Sequence, residues 1–133
     1  MLYMLDTNIC SYIIRNKPMS IKEKLEEIEK EHTVVLSTIV VAELLYGAKK
    51  KSSHKLLKIV SSFIDNFTIS DYSKISALSY SIVRTNLEQQ GQIIGANDLL
   101  IASHALSLDA ILVTNNVREF QRVENLIIED WSI

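Results

Sequence analysis

One cysteine, one proline and three glycines are spread over 133 residues, and each scarcity removes a class of explanation. A lone cysteine, Cys10, cannot form an internal disulfide, so the chain is no disulfide-stapled secreted scaffold and is expected in a reducing, cytoplasmic setting. So little proline and glycine leaves few places for linkers, which predicts a helix-rich chain forming a single domain over residues 1–133. No apolar run approaches the ~20 residues needed to span a bilayer, and the N-terminus lacks the basic flank of a signal peptide; no membrane association is expected. Charge of neither sign dominates. Fourteen basic and sixteen acidic side chains sum to −2, so any contact with RNA or DNA must come from a local patch.

What the chain does contain is a regular alternation. Five apolar segments rich in β-branched residues read as strands over 2–6, 33–37, 67–70, 110–114 and 126–129. Between them run helical stripes: Ile21, Leu25 and Ile28; Val40, Val41, Leu44, Leu45 and Ala48; Leu56, Val60, Phe63 and Ile64; Ile75, Leu78, Ile82, Val83 and Leu87. Pro18 suits the start of the helix after the first one, and Gly91 suits the residue just past a helix end. Segment 98–108 is apolar on nearly every face and predicts a buried helix. Strands alternating with helices predict an α/β sandwich around a mostly parallel sheet of four to five strands.

The informative residues are polar ones at the ends of these strands. Met1-Leu2-Tyr3-Met4-Leu5 stops abruptly on Asp6-Thr7-Asn8. In an open parallel sheet ligands collect at the carboxyl ends of the strands, where strand order reverses. Asp6 ends the first strand, Glu43 lies in the helix after the second, Asp98 opens the buried helix, and Asn116 follows the strand ending at Thr114. Each has a plainer reading. Asp6 or Asn8 equally suits a helix cap, and Asp98 a first-turn acid favoured by the helix dipole. Glu43 stands about 60° from Val40 and so borders the core-facing stripe, where a salt bridge at the edge is the alternative. If the three acids cluster, their repulsion raises each other's pKa, and a divalent cation resolves the conflict. An all-oxygen donor set suits Mg²⁺, with Mn²⁺ as the alternative, and no Cys/His cluster suggests zinc.

Four blocks then stand in a telling order: Met4-Leu5-Asp6-Thr7-Asn8, Ala42-Glu43-Leu44-Leu45-Tyr46-Gly47, Gly95-Ala96-Asn97-Asp98-Leu99-Leu100-Ile101-Ala102, and Leu112 to Asn116 followed by Arg118-Glu119-Phe120. With the closing Glu129-Asp130-Trp131 they resemble the PIN-domain ribonucleases, and among these the VapC toxins of type II toxin–antitoxin pairs. The resemblance implies a three-layer α/β/α PIN-like sandwich and an acidic triad, Asp6, Glu43 and Asp98, holding Mg²⁺ or Mn²⁺. Thr7 and Asn8 match residues supporting the first aspartate. Asn116 falls where many family members place a fourth acid, a departure that bears on a second metal. Glu119 is a candidate substitute, though an exposed role is expected of it. The implied activity is metal-dependent endoribonuclease cleavage of RNA, with tRNA as the expected target and the anticodon loop of the initiator tRNA as the finer candidate. It would proceed by attack of water on the phosphodiester, leaving a 5′-phosphate and a 3′-hydroxyl. The implied partners are a second copy and a VapB-type antitoxin that blocks the site; DNA is touched only through the antitoxin.

Other residues carry weaker signals. Lys49-Lys50-Lys51, with Lys55 and Lys58, is the densest basic stretch; it reads either as a phosphate-contacting rim or as a solvated helix end. His32, His54 and His104 share no ligand spacing, and His104 lies about 240° from Asp98 around its helix. All three are expected to be structural or surface residues. Tyr46 and Phe120 can stack on a splayed base, but packing is expected of both, and Trp131 is expected to dock the C-terminal tail. Two rivals remain. A haloacid-dehalogenase-like phosphatase also opens with a strand ending on aspartate, but needs a second acid where Asn8 stands. A PIN fold serving only as an RNA- or protein-binding module would need a degraded triad.

Overall fold

The computed structural model describes all residues, Met1–Ile133. Five strands form one sheet: β1 (Leu2–Leu5), β2 (Thr33–Ser37), β3 (Thr68–Ser70), β4 (Ile111–Val113) and β5 (Ile128–Glu129). Every pairing is parallel, and the order is β3-β2-β1-β4-β5. Met4 pairs with Val35 on one side and Leu112 on the other. Tyr3, Met4 and Leu5 are all buried, as a central parallel strand covered on both faces requires. The chain first builds outward from β1 through β2 and β3, then returns to add β4 and β5. Strand order therefore reverses at β1.

Seven helices cover the sheet: α1 (Thr7–Arg15), α2 (Met19–Glu29), α3 (Thr38–Lys50), α4 (His54–Asp65), α5 (Lys74–Gln89), α6 (Ala96–Ser107) and α7 (Val117–Phe120). With so little glycine and proline, serine and asparagine supply the punctuation. Ser37, Ser53 and Ser73 cap α3, α4 and α5 through hydroxyls that accept from Ile39, Leu56 and Ser76 N–H groups. Asn16, Ser52, Asp109 and Asn125 take up the left-handed conformation beside Gly91 (φ 66°), which follows α5 as its sequence position suggests. Pro18 stands at the N-cap of α2. One cluster of 29 buried apolar residues forms the core, and Cys10 packs within it.

Two expectations change. The last strand is shorter than 126–129, because Asn125 is left-handed and Leu126 N–H turns back to Val123 C=O; the chain extends only from Ile128. The apolar stripe expected to bury α5 divides instead. Ser76, Val83 and Leu87 are buried, whereas Ile75, Leu78 and Ile82 are 65%, 58% and 62% exposed. α5 lies in the outer layer against α6, and a narrow face suffices, partly through serine hydroxyls: Ser76 Oγ meets Ser107 Oγ at 2.8 Å. The opposite side of α5 is left as an apolar surface. α6 itself is buried on most faces, through Leu99, Ile101, Ala102, Ser103, His104 and Ala105.

Candidate active site

Asp6 stands where β1 runs out, at the reversal point of the sheet. Its backbone N–H still joins the ladder, donating to Val113 C=O at 2.8 Å, while its carboxylate caps α1 by accepting from Thr7 N–H at 2.8 Å. The cap and the buried carboxylate are thus one residue. The second carboxylate oxygen accepts from the hydroxyl of Thr114, itself fully buried at the end of β4, at 2.8 Å. Thr114 Oγ1 also accepts from Asn116 N–H at 3.0 Å, which turns the chain after β4 toward Asp6.

Glu43 arrives from α3. Its Oε1 accepts from the Thr7 hydroxyl at 2.5 Å and its Oε2 from the Asn97 amide at 3.2 Å. The salt bridge considered for it is absent: the chain's single ion pair joins Arg84 and Glu88 on the surface of α5. Asp98, in the first turn of α6, accepts from Asn116 Nδ2 at 3.3 Å, and the same nitrogen donates to Glu119 Oε2 at 2.8 Å. Asn116 therefore acts here as a donor clamp between two acids. Glu119, for which an exposed position was expected, is half-buried and faces the cluster, because the single turn of α7 swings it back over the end of β4. Asn8 reaches Asn115 (3.4 Å) and not Asp6. The sequence reading missed Thr114 and Asn97, which lie beside named residues in their motifs yet acquire partners only across elements.

Like charges gathered in this way perturb one another. Burial raises the Asp6 carboxyl, opposed by the bonds from Thr114 and Thr7 and assisted by the charges of Glu43 and Glu119. Asp98 is pushed up to about 8, first by lost hydration, then by Glu119, Asp6 and Glu43. Glu119 moves down, because protonated Asp98 donates to it; Asn116, the Gly95 N–H and Arg122 add to the effect. Thr7 bridges Asp6 and Glu43, Asn116 bridges Asp98 and Glu119, and no cationic side chain pairs with any of the four at salt-bridge distance. The donor set fits a hard divalent cation: its ligating atoms are carboxylate oxygens, with the Asn116 and Asn97 amides turned to donate to them and no thiolate or imidazole. As the side chains lie, no three acids surround one point. Mg²⁺ does not demand that, since it keeps several waters and takes one or two carboxylates directly.

A model of the PIN domain matches residues 3–126. The chain belongs to the PIN-domain family. Within it, the chain sits among the VapC ribonucleases. It is 48% identical to Ribonuclease VapC2 of Rickettsia felis over 98% of both chains, and 39% identical to the tRNA(fMet)-specific endonuclease VapC of Shigella flexneri, again over 98% of both. The crystal structure of VapBC2 from Rickettsia felis bound to a DNA fragment from their promoter superimposes with a TM-score of 0.93 at 47% identity, covering 98% of this chain and 99% of that one.

The rest of the PIN domain sorts the weaker signals. A cleft of about 360 Å³ runs beside Thr7 and Glu43, with Arg15 and Lys51 on its wall. Lys49, Lys50, Lys55 and Lys58 are exposed outside it. Phe120 is fully buried, so it packs; Tyr46, expected to pack as well, is 65% exposed one turn beyond Glu43, because α3 turns that face outward. Trp131 docks the tail as expected, its indole N–H donating to Glu129 at 2.9 Å and its ring tilted on Tyr3. His54 is exposed, His32 lies edge-on to Tyr3, and His104 is buried. No helix is long and apolar enough to cross a membrane.

Proposed function

We propose that this chain is the toxin of a VapBC-type pair: an endoribonuclease that uses Mg²⁺, or Mn²⁺, to hydrolyse tRNA, held in check by a VapB-type antitoxin. The observation that carries the reading is the gathering of Asp6, Glu43, Asp98 and Glu119, from four separate elements, at the carboxyl edge of β1 with no salt bridge to any of them. In this reading Asp6 and Asp98 hold the cation, with Glu119 supplying the acid that Asn116 cannot. Bound there, the cation supplies Lewis acidity at a scissile phosphate and lowers the pKa of water. Thr114 and Thr7 N–H fix the orientation of Asp6. Thr7 O–H and Asn97 fix Glu43 so that its remaining lone pairs can orient the attacking water. The net reaction adds one water across the P–O3′ bond, leaving a 5′-phosphate and a 3′-hydroxyl.

Substrate and partners follow from the relatives and from the surface. A tRNA-specific relative at 39% identity over nearly the whole chain supports tRNA as substrate. Arg15 and Lys51, on the cleft beside Glu43, can take flanking phosphates, and exposed Tyr46 can stack on an unpaired base. The groove between α1, α2 and α4, with Ile13, Ile14, Leu25, Ile59, Phe63 and Phe67 on its wall beside Lys22, Glu26 and Glu29, suits an amphipathic antitoxin helix. Ile75, Leu78 and Ile82 on α5 offer a surface for a second copy. The phosphatase alternative lacks its second acid, and the non-catalytic PIN module lacks any loss in the triad.

The test is Asp6→Asn on purified protein with bulk tRNA, with and without EDTA. Cleavage should require added Mg²⁺ and should fall at least ~10³-fold in the variant, the scale on which key electrostatic groups act, with an unchanged circular dichroism spectrum. Undiminished cleavage by a folded Asp6→Asn protein would overturn the assignment.

A further inference from the structure

His104 lies on the far side of α6 from Asp98, and its imidazole is fully buried. Nδ1 is 2.7 Å from Ser37 Oγ and Nε2 is 3.0 Å from Ser70 Oγ, while the Tyr72 ring packs edge-on at 5.4 Å. Ser37 is the last residue of β2 and the N-cap of α3, the helix that carries Glu43. One ring thus touches the ends of two strands and the start of a catalytic helix.

Counting donors and acceptors defines the ring's state. Ser37 Oγ accepts from Ile39 N–H at 3.1 Å, and its other hydrogen-bond neighbour is His104 Nδ1. Ser37 is fully buried, so its hydroxyl proton has Nδ1 as its acceptor. The imidazole is then the Nε2–H tautomer, donating to Ser70 Oγ. Burial lowers the His104 pKa and favours the same neutral ring; the Asp71 carboxylate is the charge that opposes it. At the other end of α6, Asn97 donates to Glu43 Oε2. α6 therefore grips α3 at two heights: Asn97 on Glu43, and His104 on the cap six residues earlier, about 9 Å along the helix axis.

We propose that His104 is a positioning residue for RNA cleavage: through Ser37 it locks the start of α3 to α6 and sets where Glu43 stands relative to Asp98. The proposal rests on the reading of Asp6, Glu43 and Asp98 as the nuclease site. It differs from a simple core role in that one hydrogen bond of the ring matters to catalysis and the other does not.

Two substitutions separate the bonds. In His104→Asn the amide oxygen takes roughly the place of Nδ1 and can still accept from Ser37. In His104→Gln the amide reaches the place of Nε2, keeps Ser70 and leaves the Ser37 hydroxyl without its acceptor. Both lose ring volume and are expected to lower Tm similarly. With His104→Gln, kcat should fall about 10- to 100-fold, as small misplacements of reacting groups do. Calorimetric Mg²⁺ affinity without RNA should weaken about tenfold, as when a group supporting a metal ligand is removed, with KM for tRNA little changed. His104→Asn should stay close to wild type in kcat and Mg²⁺ affinity. Equal kcat in the two variants, or losses that simply follow Tm, would overturn the proposal. If either fails to fold, the serines decide: Ser37→Ala should reproduce the kcat loss and Ser70→Ala should not, and equal effects would overturn it. Asp98→Asn runs alongside. If it cleaves normally, the site reading and this proposal both fall; if it is inactive while the His104 and serine variants show no split, only the positioning role falls.

Discussion

Asp98→Asn should inactivate the PIN domain and at the same time stabilise it without metal. The Asp98 carboxyl is raised to about 8 in the folded chain, whereas in the unfolded chain it titrates near 4. The folded state therefore binds a proton that the unfolded state has lost. Stability is full below about pH 4 and declines as pH rises through about 8. The size can be worked from the clamp. Asn116 Nδ2 is 3.3 Å from Asp98 Oδ2 and 2.8 Å from Glu119 Oε2, so those oxygens lie about 6 Å apart at most. At that outer limit of ~6 Å two unit charges repel by at least about 3 kcal/mol at an effective dielectric of ~20. Asp98 is only half-buried, so solvent screening cuts this to about 1–2 kcal/mol. For a chain of this size that is a Tm gain of about 4–8 °C. Thermal unfolding in EDTA across pH should show the gain near pH 9 and its disappearance toward pH 4. Saturating Mg²⁺ should raise the wild-type Tm at alkaline pH and leave the variant nearly unmoved, because a ligand stabilises only the state that binds it. Parallel Tm–pH curves for the two proteins would refute the reasoning.

Three further outcomes follow from the same geometry. Glu119→Gln keeps the bond from Asn116 but removes the fourth negative charge; cleavage should fall about 10²-fold, whereas a fully active variant would return that role to Asn116. Thr7→Val removes the hydroxyl that holds Glu43 and leaves the Thr7 N–H on Asp6, so cleavage should fall about 10- to 100-fold with little change in Tm; a rate within twofold of wild type would mean that Glu43 needs no such support. Arg15→Ala with Lys51→Ala should weaken binding of a non-cleaved RNA and flatten its log–log salt slope by about 0.7 for each phosphate no longer neutralised, while Lys55→Ala with Lys58→Ala, outside the cleft, should leave the slope unchanged.

Much of the scaffold was legible along the chain because burial on both faces leaves a local mark. Tyr3-Met4-Leu5, Val34-Val35-Leu36 and Ile111-Leu112-Val113 are short unbroken apolar runs because they are central parallel strands. α6 reads as apolar all round because it is buried most of the way round. Glu43 could be placed beside the core from its angle to Val40, and it does border buried Val40 and Leu44. What failed to read was whatever depends on an element's position in the layers. The stripe of α5 has helical period whether or not anything covers it, so periodicity alone could not say that Ile75, Leu78 and Ile82 face solvent. Glu119 lies in a polar stretch after a strand, and only the direction of the single turn of α7 brings it to Asp98.

The order of hydrophobic and polar residues by itself determined which segments are strands and helices, and which acids stand at strand ends, because period and strand termination are properties of neighbours in the chain. The tertiary structure alone decided that Thr114, Asn97 and Asn116 bridge those acids, that Glu119 joins them, and that His104 spans Ser37 and Ser70. Those contacts join residues from 3 to 108 positions apart, most of them more than thirty. A hydrogen bond of that kind exists only once the strand order has brought its two ends together.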